Sequence, residues 1–186
     1  MRLFIAASFP EGVVRALSER VAPIRTKLPP ASWVRPETQH LTFAFLGEQP
    51  ESMIDKLTPL VEKELQSVTR FEAALHGSGF FPNPRHARVG WIGVDPEDRF
   101  AAVARGVQSA VVQAGIALDR TEFKPHLTVM RMREGWPPRS IEIFNGALRE
   151  FRSDAFLVDG VTLYASELNP KGAIHTPLRR FALPAA

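Results

Sequence analysis

Apolar residues recur along this chain in two rhythms, every second position and every third or fourth, and the alternation lays out most of its elements. A β-branched apolar run over 2–8 predicts a strand. Pro10-Glu11 then opens a helix, with proline early and an acid in the first turn. Val14, Leu17, Val21, Ile24 and Leu28 mark its buried side, and Pro29-Pro30 stops it. Trp33-Val34 leads through Pro36 into a strand over 40–46 that ends at Gly47. A second helix over 51–68 carries Ile54, Leu57, Val61, Leu65 and Val68 on one side. Strands at 70–76 and 87–94 flank residues 77–84, Gly-Ser-Gly-Phe-Phe-Pro-Asn-Pro, whose turn chemistry predicts a loop. Asp95-Pro96-Glu97-Asp98 is a strong helix start, followed by a stripe of Phe100, Val103, Val107 and Val111 and a stop at Gly115. A strand over 126–132, a short helix near 139–149 and strands near 156–166 and 173–182 complete the pattern.

Part of this order is written twice. His40-Leu41-Thr42-Phe43 and His126-Leu127-Thr128-Val129 stand 86 positions apart. At the same offset Pro10 meets Pro96, Glu11 meets Glu97, and Arg2, Val14, Leu17 and Val21 meet Arg88, Phe100, Val103 and Val107. Each half therefore opens as strand, helix and strand, with His-x-Thr at the same place. The expected organisation is one bilobal domain over 1–186, with a first pseudo-repeat of about 1–85 and a second of about 86–186. Several strands adjoin without an intervening helix, which favours α+β with mostly antiparallel pairing over a doubly wound parallel sheet.

Composition narrows the chemistry. With 186 residues and 45% hydrophobic content the chain can bury a substantial core. It has no cysteine, which excludes disulfides, thiolate nucleophiles and cysteine-held metals and fits a reducing, cytoplasmic setting. No apolar segment is long enough to span a bilayer. A net charge of +3 is weak support for an anionic partner. The last residues, 183–186, read as a frayed end.

In a strand, residues i and i+2 share a face. His40 with Thr42, and His126 with Thr128, therefore each offer a proton carrier and a hydroxyl to one surface, backed by Leu41 and Leu127 on the other. Two imidazoles near their ordinary pKa of about 6.5 can divide the work of a base and an acid at neutral pH. One His-x-Thr in a strand is ordinary packing; two at matched points of a repeat are not, because duplication alone does not protect a costly polar pair from drift. The pairing suits proton transfer across a phosphodiester. No His-x-His or His-x-x-x-His spacing suggests zinc, and no Gly-x-Ser-x-Gly suggests a serine triad, so no metal and no cofactor are expected.

At this point the chain resembles the two-histidine phosphoesterase superfamily, and within it the bacterial and archaeal RNA 2',3'-cyclic phosphodiesterases, also called 2'-5' RNA ligases. The likeness is carried by Arg2-Leu3-Phe4-Ile5-Ala6, by Trp33-Val34 and Pro36 before His40-Leu41-Thr42-Phe43-Ala44-Phe45-Leu46-Gly47, and by Gly79-Phe80-Phe81-Pro82. It continues through Arg88-Val89-Gly90-Trp91-Ile92-Gly93-Val94, Pro125-His126-Leu127-Thr128-Val129-Met130-Arg131 and Leu163-Tyr164-Ala165-Ser166. The resemblance implies two pseudo-symmetric βαβαβ-like lobes around a central cleft, with helices outside. It implies metal- and ATP-independent hydrolysis of an RNA terminal 2',3'-cyclic phosphate to a 2'-phosphate, with reversible 2'-5' ligation as a side activity. Carried onto this sequence, His40 is the proton donor and His126 the proton acceptor, while Thr42, Thr128 and Arg131 hold the phosphate. The donor and acceptor assignment comes from the resemblance alone.

Other positions carry weaker expectations. Arg131 sits five residues after His126, so a flat strand puts it on the opposite face, and its role needs a twist, a bulge or the strand's end. Phe45 shares parity with Leu41 and Phe43 and is expected in the core, although it and Trp33 are candidates for stacking a base. His175 stands where relatives often have tyrosine and reads as a surface or cleft-rim residue rather than a third catalyst. His76 and His86 border a loop and read as solvated; Arg85 and Arg88 serve equally as an RNA track or as solvated charges. The partner expected is RNA with 2',3'-cyclic or 2'-phosphate ends, tRNA fragments among them, acted on by a monomer. Rival functions are phosphodiester hydrolysis of a small cyclic nucleotide, ADP-ribose 1'',2''-cyclic phosphate or a 2'-5' oligonucleotide, and a non-catalytic RNA-end binding module.

Overall fold

A computed structural model describes residues 1–118, 122–169 and 172–185. Two antiparallel sheets face each other across a cleft. The first sheet runs in the order β3 (His40–Glu48), β1 (Arg2–Ser8), β8 (Gly160–Asn169), β9 (Gly172–Ala182). The second runs β2 (Ser32–Trp33), β6 (His126–Arg131), β5 (Val89–Asp95), β4 (Phe71–Phe81), β7 (Phe156–Val158). The helices α1 (Glu11–Arg25), α2 (Ser52–Leu65), α3 (Glu97–Gln113) and α4 (Pro138–Leu148) cover the sheets, with α2 against α3 and α1 against α4. Their inward positions match the apolar stripes: Val14, Leu17 and Val21; Leu57, Val61 and Leu65; Phe100, Val103, Val107 and Val111 are all buried.

Each half supplies a β-α-β unit, β1-α1-β3 in one and β5-α3-β6 in the other. The sheets, however, are not assembled from contiguous halves. β1 pairs with β3 on one side and with β8, from the far end of the chain, on the other. β5 pairs with β6 and with β4, which directly precedes it and belongs to the first repeat. Both lobes are thus completed by a strand that crosses over.

Three local expectations are corrected. Residues 77–81 are not part of the predicted loop, which begins only at Pro82, because β4 runs on to Phe81 and pairs Ser78 to Phe81 against Ile92 to Val89. A bulge before Ser78, with Gly77 at φ +76°, absorbs one extra residue, so ladder pairing overrides turn chemistry. The strand expected over 156–166 is two: β7 joins the second sheet and β8 the first. The chain end is docked rather than frayed, with Leu183 buried and bonded to Asp159, and Pro184 accepting from Arg70; Ala186 lies outside the described residues.

Candidate functional site

The two His-x-Thr strands, β3 and β6, lie against one another where the sheets meet. His40, Thr42, His126 and Thr128 are all half-buried, while Leu41 and Leu127 are fully buried behind them. The alternation that makes each strand two-faced therefore puts each histidine and its threonine on one side, and His40, Thr42 and His126 line the cavities there.

The two histidines are held in the same way. His40 Nδ1 is 2.8 Å from the Thr38 carbonyl oxygen, and His126 Nδ1 is 2.7 Å from that of Lys124. A carbonyl only accepts, so Nδ1 carries the hydrogen in each ring and Nε2 is the nitrogen that gains and loses a proton. Aromatic walls fix the planes. His40 packs against Phe4, with centroids 5.0 Å apart, and edge-on against His175 at 5.1 Å, and those two rings also touch each other at 4.9 Å. His126 stands edge-on to Phe81 at 4.7 Å, with Trp91 at 6.2 Å.

The position after each threonine hosts a bulge. Ala6 pairs with Thr42 but Ile5 with Ala44, which leaves Phe43 unopposed. Trp91 pairs with Thr128 but Gly90 with Met130, which leaves Val129 unopposed. Each carbonyl at the bulge finds a partner elsewhere: the Gln108 side-chain amide of α3 donates to Phe43 O at 3.1 Å, and the Val34 backbone donates to Val129 O at 2.9 Å. An extra residue reverses the side-chain alternation beyond it. Phe45 accordingly is not in the core, as its parity predicted, but 66% exposed. Arg131 is turned back toward the histidines by the equivalent bulge, and its charge bears on both of them. Phe45 and Arg131 are the same position of the two repeats.

Electrostatics follow from this enclosure. Burial is the largest influence on His40 and holds it below the ordinary histidine value; the Thr38 carbonyl opposes that, and the charges of His175, Arg131 and His126 add to the depression. His126 is lowered by burial first, with the Lys124 carbonyl opposing and Arg131 reinforcing. His175 is also lowered by burial. It lines the cleft beside His40.

The remaining candidates are peripheral. Trp33 is half-buried with the Arg25 guanidinium 4.9 Å over its ring. His76 is exposed and bonded to the Phe151 carbonyl, and His86 is exposed. Arg85 and Arg88 are exposed, Arg88 donating to the Arg133 carbonyl. Among the described residues, no group of three or more histidines and carboxylates stands close enough to hold a metal ion, and no helix is long and apolar enough to cross a membrane.

A cavity of about 270 Å³ lies beside His40, lined by Phe4, Arg35, Gln39, Tyr164 and His175 among others. A second, of about 380 Å³, lies beside His126. The polar groups between them can take up a proton, give one up and hold an anion.

Known proteins share this plan. The family model of the 2'-5' RNA ligase superfamily matches residues 13–170. The RNA 2',3'-cyclic phosphodiesterase of Methanothermobacter thermautotrophicus is 30% identical, over 98% of this chain and 99% of its own length. The RNA 2',3'-cyclic phosphodiesterase of Archaeoglobus fulgidus is 35% identical, over 97% of this chain and 99% of its own. Among solved structures, TT0787 of Thermus thermophilus superposes with a TM-score of 0.77 at 32% identity, over 100% of this chain and 99% of the other.

Proposed function

The chain belongs to the 2'-5' RNA ligase superfamily, and on that footing we propose that it hydrolyses RNA 2',3'-cyclic phosphate ends to 2'-phosphates, with reversible 2'-5' ligation as the same chemistry run with an alcohol. The observation that carries the reading is the pair of imidazoles held in one tautomer by carbonyls two residues upstream.

His126 Nε2 takes a proton from water as the water oxygen bonds to phosphorus. The bond from phosphorus to O3' breaks, and His40 gives its Nε2 proton to that oxygen. Each transfer is worth roughly 10²–10⁴-fold in rate. Thr42, Thr128 and Arg131 hold the non-bridging oxygens, where charge accumulates. Burial and nearby cations disfavour a charged His40 before substrate binds, and the substrate's phosphate anion reverses that balance as it enters. The strained five-membered ring needs no ATP and, with protons and donors in place, no metal. One chain carries both histidines, so a monomer suffices, and a cysteine-free chain suits the cytoplasm.

The test is incubation with RNA bearing a 2',3'-cyclic end, with chelator present and ATP absent, followed by analysis of the terminal phosphate. Formation of 2'-phosphate is expected, and His40→Ala and His126→Ala should each lower turnover by at least about 10²-fold while the fold persists. Near-normal rates in either variant would remove the pair from the mechanism.

A further inference from the structure

Each histidine of the pair has a ring standing edge-on against it. For His126 that ring is Phe81, with centroids 4.7 Å apart and planes at 80°; for His40 it is His175, at 5.1 Å and 85°. Packing alone asks for no nitrogen at this place, since a phenyl ring serves His126. The lobe of His40 uses an imidazole instead, and the mechanism above gives it no task. His175 also lines the cavity of about 270 Å³ beside His40, on the side of the leaving oxygen.

The hydrogen bonding of His175 differs from that of the pair. His40 and His126 commit Nδ1 to a carbonyl, whereas Nδ1 of His175 is closed to solvent and meets no partner among the described residues. A buried N–H with no acceptor is costly and rare, so the hydrogen of the neutral ring belongs on Nε2 and Nδ1 keeps its lone pair. Charging the ring would put a hydrogen on the closed nitrogen, and burial already holds His175 below the ordinary histidine value. Nε2 is then the nitrogen this residue can offer the cavity. The other charged groups there, Arg35 and Glu37, face each other at 3.6 Å, and Thr38 and Tyr164 are uncharged. His175 is thus a neutral donor beside a histidine that titrates.

We propose that His175 is a substrate-binding residue that donates from Nε2 to O2' of the cyclic phosphate and so decides which of the two ribose oxygens leaves. The inference rests on the proposed function and on its assignment of His40 to the leaving oxygen. O2' and O3' are neighbours on the five-membered ring, and the two imidazoles are neighbours on the cavity wall. The water oxygen bonds to phosphorus and the water's proton passes to His126, while the bond from phosphorus to O3' breaks and O3' takes the proton of His40. His175 keeps its hydrogen throughout, because a neutral imidazole is far too weak an acid to give it up. O2' is therefore held but not released, and the phosphate stays on it. Without that donor the ring can seat the other way round, with O2' toward His40, and the 3'-phosphate forms instead.

The experiment follows hydrolysis of 2',3'-cyclic AMP by the full chain, His175→Phe and His175→Gln, with chromatography resolving 2'-AMP from 3'-AMP. Phenylalanine keeps the edge-on ring that serves His126 and removes the donor. Glutamine gives up the ring and its titration but keeps a neutral N–H donor. Thermal melts check that both variants fold. His175→Phe should lower kcat/KM about tenfold and raise 3'-AMP from a trace to about a tenth of the product, the usual worth of one hydrogen bond, whereas His175→Gln should keep the native product. A phenylalanine variant that still yields 2'-AMP alone, a glutamine variant that releases as much 3'-AMP as the phenylalanine one, or a native chain that itself yields a mixture would each overturn the assignment. A native chain that leaves the cyclic nucleotide intact would instead strike the proposed function, and this inference with it.

Discussion

At the scale of single residues, the site is two copies of one device: a histidine whose Nδ1 is committed to a carbonyl and whose titration is displaced downward by burial. The direction has a consequence for pH. Both titrations lie below the ordinary value of about 6.5, so in kcat/KM the acid limb, set by His126 as base, and the alkaline limb, set by His40 as acid, both belong below that value. Arg131 contributes to the depression of both. Replacing it as Arg131→Gln should therefore raise the His40 and His126 midpoints in an NMR titration of the substrate-free enzyme, and the proposed role in holding the phosphate predicts slower turnover as well. Unmoved midpoints would mean that the Arg131 charge does not bear on the rings. That each histidine shares a face with its threonine was legible from the repeated motif, because period-two alternation fixes it. Arg131 was legible only as a conflict between a motif and a parity.

At the scale of elements, that conflict is resolved by the two bulges. An isolated strand has no reason to bulge at Phe43 or Val129; the reason lies in the neighbouring strands and in the donors that meet the displaced carbonyls. For Phe43 the donor is Gln108 on α3, a helix of the other repeat. Removing it as Gln108→Leu should cost about 1 kcal/mol in urea denaturation, the usual worth of such a bond. A neutral outcome would show that water replaces the amide without loss. The predicted loop over 77–84 failed as far as Phe81 for a related reason. Glycines that signal turns also permit a bulge and a close approach: a Cβ on Gly79 would overlap the Trp91 indole, which itself borders His126. Local composition registers the glycine but not the ring lying over it.

At the scale of the molecule, the lobes are bound together by strand exchange. β8 and β9 complete the sheet begun by β1 and β3, while β4 completes the sheet of β5 and β6. Residues 1–85 expressed alone should lack their sheet partners and remain unfolded by circular dichroism, and the whole chain should melt in a single transition. An independently folded first half would contradict this reading. The sequence by itself determined the secondary elements that follow an apolar rhythm, the internal repeat and the four polar residues it doubles, since all of these depend on spacing along one strand or helix. Only the tertiary structure decided which strands complete each sheet, where the ladders slip, that Phe45 leaves the core, that Arg131 returns to the histidines, and that His175 touches His40. Those outcomes depend on partners far away in the chain, whose hydrogen bonds and volumes no local pattern of hydrophobic and polar positions encodes.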